Sequence, residues 1–371
     1  MHVAGDGCGD GCAGVRRCDI YCRVVDNFGD IGVVWRLARQ LADEFGWRVR
    51  VVVDDLEAFR VIEPNINSAK PKQRRGSTEI FAWKCPPIGD SSDVVIEAFG
   101  CELPEIVVTS KAAQHPHPVW VNLEYLSAES WVTAHHLLPS RHPQLGFTKT
   151  FFFPGFGADT GGLLRERTVS LPSAPTNLHL ARLKVFMFGY DLPGSHAVAA
   201  AVASSVTVAS LTVPEGALAR HLADANLPTL EVAAFVPQVA FDALLAGFDI
   251  LLVRGEDSIV RAIWTGKPFV WQIYPQSDHA HWPKLEAFLS IYCRGLSPAA
   301  ERGLRGLWHL LNDIPSETVV GVSASGHVWE DYVTHLPELA LHAHNWAAAQ
   351  MKLPDLASNL VAWVEKRSKT P

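Results

Sequence analysis

A change of hydrophobic period near the start of the chain points to an α/β fold. Residues 20–25 are a short apolar run typical of a strand, and residues 48–53 are a second one. A helix lies between them, because apolar residues recur every four positions after a polar loop, at Val33, Leu37, Leu41 and Phe45. Gly46 then supplies a typical helix end. Strand, loop, helix and strand in succession predict a βαβ unit and therefore a parallel sheet.

Similar units recur along the chain and predict two sheets. Residues 94–96 and 119–121 are expected to extend the first sheet. Strands of a second sheet are expected near residues 185–188, 206–211, 230–233, 250–253 and 269–273. Helices between them include residues 238–245 and 258–265. The predicted fold class is therefore α/β, with two Rossmann-like domains that face each other across a cleft.

The same pattern divides the chain into five segments. Pro172 and Pro175 indicate a linker, and the segment after Pro354 is predicted to be a helix with one apolar face, formed by Leu356, Leu360, Val361 and Val364. We expect this helix to pack back on the first domain. The predicted bounds are 1–18 for a disordered leader, 19–165 for the N-terminal domain, 166–180 for the linker, 181–350 for the C-terminal domain and 351–371 for the terminal helix.

The charge and the cysteines exclude several classes of protein. A net charge of -7 argues against nucleic acid as the main partner, and the basic run at residues 70–75 is interpreted as a solvated loop. The seven cysteines are an odd number without a CxxC pair, which indicates a reduced, cytoplasmic protein. Because there is no apolar run of about 18 residues, we expect no membrane helix. The first residues also lack the apolar region of a secretion signal.

Two carboxylates, Asp26 and Asp30, lie in the glycine-containing loop that joins the first strand to the first helix. Ligands bind at the carboxyl ends of strands in open α/β sheets, so this position suits a functional site. Gly29 and Gly32 would let a ligand or another backbone approach closely. The alternative is structural, with Asp30 capping the helix and Asp26 capping the turn. The loop is not GxGxxG, so the dinucleotide fingerprint is absent.

A second candidate site follows the apolar strand at residues 250–253. Free amides at a helix N-terminus, together with the Ser258 hydroxyl, could hold a pyrophosphate without a metal. Glu256 and Asp257 could bind sugar or ribose hydroxyls beside it. The alternative is an ordinary helix start with acidic residues in its first turn.

We expect no metal and no cofactor. The chain has no Asp-x-Asp triplet, which is the usual handle for a metal-bound nucleotide diphosphate. The histidine pairs His115 with His117 and His279 with His281 lack a clear third ligand. The glycines at residues 155–162 lack the Lys-Ser/Thr ending of a P-loop.

Long blocks in both halves resemble one family, the bacterial arginine rhamnosyltransferases that modify elongation factor P. The blocks are VDNFGDIGV (25–33), WRLARQL (35–41), NLEYLSAE (122–129), FFFPGF (151–156), TGGLLRE (160–166), VRGEDS (253–258) and KPFVWQIYPQ (267–276). They extend over nearly all of the chain after Asp19. Ungapped blocks of this length are more specific than a single short motif. The leader at 1–18 has no counterpart in the family, and His279 stands where an acid is expected.

The resemblance implies a two-domain GT-B glycosyltransferase. Such an enzyme moves L-rhamnose from dTDP-β-L-rhamnose to an arginine of elongation factor P, with inversion, and activates the factor for rescue of ribosomes stalled at polyproline. It also implies that the first domain faces the acceptor and that the second domain binds the nucleotide-sugar. The expected partners are therefore the factor and the donor, with no nucleic acid and no membrane.

The resemblance also assigns roles to residues. Asp30 matches the general base, Asp26 a second essential carboxylate, and Glu256 a third essential acid near the donor sugar and phosphates. The positions matched to donor binding are Asn27, Phe28, Gly29, Arg254, Gly255, Asp257, Ser258 and Tyr274. The thymidine pocket is expected to consist of Phe188, Tyr190, Gln238 and Phe241.

The chemistry of the residues agrees with this assignment. An arginine side chain, with a pKa of about 12.5–13.8, arrives charged and is a poor nucleophile. Asp26 and Asp30 could orient its guanidinium group as a fork, and Asp30 could accept the proton as the new bond forms. The helix amides, Ser258 and Tyr274 could stabilise the departing diphosphate.

Three other functions remain open from the sequence. One is the same fold with another sugar donor or protein acceptor, which tests with other nucleotide-sugars and proteins would reveal. Another is a non-catalytic nucleotide-sugar-binding module, although Asp26, Asp30 and Glu256 are all present. The third is an NAD-dependent oxidoreductase, against which the missing GxGxxG counts.

Overall fold

The structure is a computed structural model that describes residues 15–26, 28–174, 182–315 and 327–368. Some of the sequence predictions concern residues outside these ranges. They are most of the leader (1–18), the end of the linker (166–180), the last residues of the terminal segment (351–371) and the role of Asn27.

The first sheet has eight strands within the described residues. They are β1 (Arg17–Cys22), β2 (Arg48–Val53), β3 (Lys72–Arg75), β4 (Thr78–Ala82), β5 (Val94–Ala98), β6 (Val119–Leu123), β7 (Pro139–Arg141) and β8 (Thr148–Phe152). Their spatial order is β3-β4-β2-β1-β5-β6-β8-β7. The edge strands β3 and β7 pair antiparallel to β4 and β8, and the other pairs are parallel. Strands β1, β2 and β5 are buried along nearly their whole length, as parallel strands covered on both faces should be.

The second sheet is parallel throughout its described part. Its strands are β9 (Leu183–Phe188), β10 (Val208–Pro214), β11 (Leu230–Ala233), β12 (Ile250–Arg254) and β13 (Phe269–Gln272), in the spatial order β11-β10-β9-β12-β13. The strand order reverses beside β9, because β10 lies on one side of it and β12 on the other. Such a reversal opens a crevice at the carboxyl ends of the strands. The α/β class predicted from the sequence is confirmed.

Helices cover the sheets and carry parts of the site. In the described residues they are α1 (Gly29–Phe45), α2 (Leu56–Ile62), α3 (Glu105–Ala112), α4 (Trp131–His135), α5 (Pro193–Ser204), α6 (Ala217–Ala223), α7 (Gln238–Ala246), α8 (Gly255–Trp264), α9 (His281–Tyr292), α10 (Pro298–Leu311), α11 (Val328–Thr334), α12 (Leu336–Gln350) and α13 (Leu356–Ser368). None of these helices combines the length and the apolar character that a membrane crossing needs.

Helix α1 begins earlier than its apolar period indicates. The period starts at Val33, whereas the helix starts at Gly29, because the first turn has two glycines and Asp30 around Ile31 and so carries no apolar repeat. Its end agrees with the prediction. Gly46 adopts a left-handed conformation with φ 69, which a residue without a Cβ atom reaches most easily.

The basic run that was interpreted as a solvated loop forms the edge strand β3 instead. Residues 72–75 pair with β4, and every second side chain is exposed. Apolar periodicity did not reveal this strand, because its residues are all polar. Charged residues are common on edge strands, where they discourage pairing with other chains. The short edge strand β7 was missed as well, because its three residues are all exposed and form no apolar run.

The terminal helix α13 contacts α1 and β6, which belong to the first half of the chain. Its buried face consists of Leu356, Ala357, Leu360, Val361 and Val364. The first sheet extends over residues 17–152 and the second over residues 183–272. The exact domain bounds stay predictions.

Candidate functional site

The loop after β1 meets the second half of the chain between the two sheets. Asp26 lies in this loop, and its Oδ2 atom accepts a hydrogen bond of 2.7 Å from the hydroxyl of Tyr190, which follows β9. Gly255 begins α8 directly after β12, and a Cβ atom there would lie 3.0 Å from the same carboxylate oxygen. The ends of three strands therefore converge on one candidate site, as expected for a ligand site in an open α/β fold.

Asp26 is a buried carboxyl group that titrates near neutral pH. It is 8% exposed, and loss of hydration raises its pKa to about 6, although the hydrogen bond from Tyr190 and the charge of Arg254 act in the opposite direction. Asp30 contributes a further increase through charge repulsion. Above this pH the group is a stronger proton acceptor than an ordinary aspartate, which is typical of functional sites.

Asp30 lies in the first turn of α1 and is 2% exposed. Its Oδ2 atom accepts hydrogen bonds from the backbone N–H groups of Val25 at 2.7 Å and Asp26 at 2.9 Å. Burial raises its pKa, while these two bonds and the Tyr125 side chain lower it. The N-cap residue of α1 is Phe28, which makes no side-chain cap. Asp30 therefore turns back and orders the loop, and the alternative in which it caps the helix is wrong.

Glu256 connects the two halves of the chain. Its Oε2 atom accepts the backbone N–H of Leu126 at 2.8 Å, and its Oε1 atom lies 3.1 Å from Nζ of Lys284. Burial raises the pKa of this carboxyl group, and the charge of Lys284 is the largest opposing influence. With both oxygens engaged, Glu256 has a fixed position at the start of α8.

An aromatic pocket lies beside these acids. Its rings contact one another, with centroids 5.5 Å apart for Phe28 and Phe235 and 6.1 Å apart for Phe188 with either Phe235 or Phe241. Apolar walls with a few polar groups are typical of small-molecule sites. The residues that line it are Asp26, Phe28, Gly29, Gly32, Ile62, Phe188, Pro214, Phe235, Val236, Gln238, Phe241, Leu244, Arg254, Gly255, Asp257 and Ser258.

Arg254 is a half-buried cation in the lining of this pocket. Its guanidinium carbon lies 4.5 Å from the ring centroid of Phe188 and 4.7 Å from that of Tyr190. Burial lowers its pKa, while Tyr190 and Asp26 act in the opposite direction. A cation held between ring faces in this way is suited to contact with a negatively charged ligand group.

The first turn of α8 supplies donors for an anion. Asp257 and Ser258 lie in this turn and line the pocket, together with Gln238 at the start of α7. The first amides of a helix have no partners within the helix, and the N-terminus carries a partial positive charge. A phosphate group is the kind of ligand that such a terminus binds.

A second pocket adjoins the first on the side of Asp30. Tyr274 lies here and is 37% exposed, with its ring 5.8 Å from that of Tyr190. The lining residues are Val25, Asp26, Gly29, Asp30, Val33, Phe99, Tyr125, Gly255, Glu256, Trp271, Ile273, Tyr274, Gln276, His281 and Lys284. Because Asp26, Gly29 and Gly255 line both pockets, the two are parts of one cleft.

The structure brings together every predicted site residue that it describes, although the roles assigned to them stay predictions. Sequence reasoning did not assign several other residues of the cleft to the site, among them Phe99, Tyr125, Phe235 and Lys284. Tyr125 follows the end of β6 within a block that had drawn attention, so its position was a usable signal. Phe99 has an unusual backbone φ of 58 and stacks on Tyr125 at 4.5 Å, which no pattern in the sequence indicates.

The two histidine pairs noted in the sequence do not assemble a metal site in the described part of the chain. His279 stacks on Trp282 at 4.1 Å, and His115 lies beside His117. Among the described residues, the group whose ligand atoms lie within 4.8 Å of one another is Asp191, His196 and His221, all at least partly exposed.

Comparison with known proteins identifies the family. The sequence model of the family described as elongation factor P (EF-P) rhamnosyltransferase EarP matches residues 18–365. A protein-arginine rhamnosyltransferase of Pseudomonas putida is 41% identical, with 92% of this chain and 97% of that protein covered. The corresponding protein of Pseudomonas aeruginosa is 39% identical at the same coverage. A Neisseria meningitidis relative is 32% identical, with 95% and 98% covered.

Solved structures agree with this comparison. A structure that explains EarP-mediated arginine glycosylation of EF-P has a TM-score of 0.62 and 30% identity, with 95% of this chain and 99% of that chain covered. The glycosyltransferase VinC has a TM-score of 0.54 at 12% identity, with 95% of this chain and 100% of that chain covered, and it shares the fold alone. The predicted GT-B architecture is thereby confirmed. The chain belongs to the EarP family of elongation factor P rhamnosyltransferases.

Proposed function

We propose that this protein transfers L-rhamnose from dTDP-β-L-rhamnose to an arginine side chain of elongation factor P, with inversion at the sugar carbon. The observation that carries the proposal is the placement of two buried carboxylates, Asp26 and Asp30, against an aromatic pocket and the N-terminus of α8. Membership of the family supports the same acceptor and sugar.

The aromatic pocket suits the nucleotide of the donor. Phe188 and Phe241 offer ring faces to a thymine base, and Gln238 offers an amide for its polar edge. The first amides of α8 and the hydroxyl of Ser258 would then hold the diphosphate, with Tyr274 at its outer side. We propose that this set holds the diphosphate without a metal, because the chain lacks an Asp-x-Asp triplet.

The second pocket suits the acceptor guanidinium group. Asp26 and Asp30 would orient it through charge-assisted hydrogen bonds. One guanidinium nitrogen attacks the sugar carbon while the bond from that carbon to the dTDP oxygen breaks, and a single displacement of this kind inverts the carbon. Asp30 accepts the proton that the nitrogen loses, and the charge that develops on dTDP is stabilised by the helix terminus.

Glu256 lines the second pocket at the start of α8, next to Gly255, which lines both pockets. Its contacts with Leu126 and Lys284 fix a carboxylate near the start of α8, where it can accept hydrogen bonds from sugar hydroxyls. Because the acceptor is a translation factor, we place the reaction in the cytoplasm. The modified factor would then serve in the rescue of ribosomes stalled at polyproline.

The intact mass of elongation factor P, measured after incubation with this protein and dTDP-β-L-rhamnose, tests the proposal. We expect a gain of one deoxyhexose, and Asp30→Asn should slow it by about 100-fold or more through loss of the base. Asp43→Asn is the matched control, because Asp43 is exposed at the far end of the same helix. If the protein is folded and binds dTDP but modifies nothing, the proposed donor site stands. The proposed acceptor or the proposed sugar is then wrong.

A further inference from the structure

A buried cluster of charges joins the first half of the chain to the donor side. Arg36 lies on α1 and is 3% exposed, and its guanidinium group contacts three carboxylates from other elements. The distances are 2.6 Å from Nε to Asp257, 3.3 Å from Nη2 to Asp242 and 3.4 Å from Nη1 to Glu166. The same carboxylates, Asp242 and Glu166, also pair with Arg261 of α8.

The contact with Asp257 reaches directly into the aromatic pocket. Asp257 lines this pocket, and its two oxygens are held from opposite sides, by Arg36 and by the amide of Gln238 at 3.0 Å. The same amide nitrogen of Gln238 donates to the carbonyl of Gly32 on α1 at 2.8 Å. Each carboxylate oxygen can accept a second hydrogen bond, so Asp257 keeps capacity for a ligand hydroxyl while its orientation is fixed.

We infer that Arg36 is a positioning residue of the donor site, which acts through Asp257. This inference rests on the proposed function, since it assumes that the pocket holds the dTDP part of the donor. Arg36 follows Asp30 on the same helix, so α1 carries the proposed base at its start and orients a donor-binding carboxylate farther along. A shift of α1 would therefore move the proposed base and the guanidinium group that orients Asp257 together.

The chemistry of Arg36 suits this task better than that of lysine. A guanidinium group presents five N–H donors in a rigid plane, and here they are divided among three acceptors. A lysine ammonium group could neutralise the same charge but could not hold Asp257 in one orientation. The variant Arg36→Lys therefore separates orientation from charge.

Calorimetric titration with dTDP tests the inference, with Arg261→Lys as the matched control. Both residues are buried cations of one cluster at 3% exposure, and among the described residues the hydrogen bonds of Arg261 go to Asp242 and Glu166, not to Asp257. Arg36→Lys should weaken dTDP binding about tenfold or more, because an oriented hydrogen bond between charged groups is lost. Arg261→Lys should change the affinity less than twofold at a comparable loss of Tm.

Equal losses of affinity in the two variants, or none in Arg36→Lys, would overturn the inference. If the unaltered protein does not bind dTDP, the proposed function fails instead, and the two failures are distinct. Should Arg36→Lys not fold, Asp257→Ala is compared with the double variant Arg36→Gln/Asp257→Ala. Equal affinities support action through Asp257, since Arg36 then has nothing left to orient, and a further loss contradicts it.

Discussion

The pKa of Asp26 is raised because its polar contacts do not fully replace the hydration that the carboxyl group loses on burial. Burial favours the protonated form, and the hydroxyl of Tyr190 with the charge of Arg254 only partly restores the ionised form. Ionisation of Asp26 in the folded protein is therefore unfavourable in free energy. Such arrangements are common where a group must react or bind rather than stabilise the fold.

The hydrogen bond from Tyr190 predicts a shift in the pH profile. Tyr190→Phe removes the bond that lowers the pKa of Asp26, so the pKa should rise above its value of about 6. If ionised Asp26 binds the acceptor, the acid limb of kcat/KM moves to higher pH. Profiles of the two proteins between pH 5 and 8 on a log scale measure this. Tyr292→Phe, in the hydrophobic core, is the control, and an unmoved limb in Tyr190→Phe would count against a role for Asp26.

Burial of Asp26 also predicts a gain of stability when its charge is removed. Its pKa lies near 6 in the folded protein and at 3.8 in the reference state, so ionisation opposes folding. The penalty is absent below the lower value, grows between the two and is complete above pH 6. Asp26→Asn should therefore stabilise the fold by about 3 kcal/mol at pH 8 and by roughly half of that at pH 5.

Thermal unfolding at the two pH values checks this expectation, while transferase assays on the same samples should show loss of turnover. The amide oxygen can still accept from Tyr190, so the contact itself is retained. A lower Tm for Asp26→Asn at pH 8 would show that the charge supports the fold.

At the scale of single residues, the sequence predicted what lies close along the chain and little of what lies far apart. Asp26 and Asp30 were found because they flank a glycine between a strand and a helix. Arg36 was not found as a site residue, because its contact with Asp257 joins positions 221 residues apart. Such contacts follow from the packing of α1 on α8, which no local pattern encodes.

At the scale of elements, the start of α8 depends on one glycine. Gly255 has φ 68, and a Cβ atom there would lie 3.0 Å from Oδ2 of Asp26 and 3.4 Å from the hydroxyl of Tyr190. The position therefore combines a left-handed backbone with close approach to the site. Gly46 has a nearly equal φ of 69 and no neighbour within 4 Å of a Cβ atom.

The comparison of these two glycines makes a prediction. Gly255→Ala and Gly46→Ala should each lose about 1–2 kcal/mol of stability, because both force alanine into the left-handed region. Only Gly255→Ala should also lose transferase activity, since its methyl group displaces Asp26. Denaturant unfolding and initial rates measure the two effects. Equal activity in both variants would mean that the close approach at Gly255 has no functional consequence.

Apolar periodicity located the central strands of each sheet better than the outer strands of the first sheet. Strand β12 was predicted at residues 250–253 and is observed at Ile250–Arg254, and the buried face of α13 was predicted residue by residue except for Ala357. The apolar residues of both elements indicate that they are buried. The polar edge strands β3 and β7 carry no such signal, because solvent covers part of their surface.

At the scale of the whole molecule, the cleft is lined by both halves of the chain. Phe28, Gly29 and Ile62 come from the first half, whereas Phe188, Phe235 and Phe241 come from the second. The chain passes between the halves after β8 and returns through α13, which packs on α1 and β6. A ligand in the cleft can therefore bind the two halves at once.

This arrangement predicts that dTDP protects both halves. At a concentration of 100 times its Kd, a ligand that binds only the folded state adds about 2.7 kcal/mol of stability. Hydrogen exchange should slow at the start of α8 and also at the start of α1, because Gly29 and Gly32 line the pocket opposite Asp257 and Ser258. Exchange measured by mass spectrometry with and without dTDP tests this. Protection confined to the second half would mean that the nucleotide contacts one sheet only, and the loop with Asp26 would then belong to the acceptor side alone.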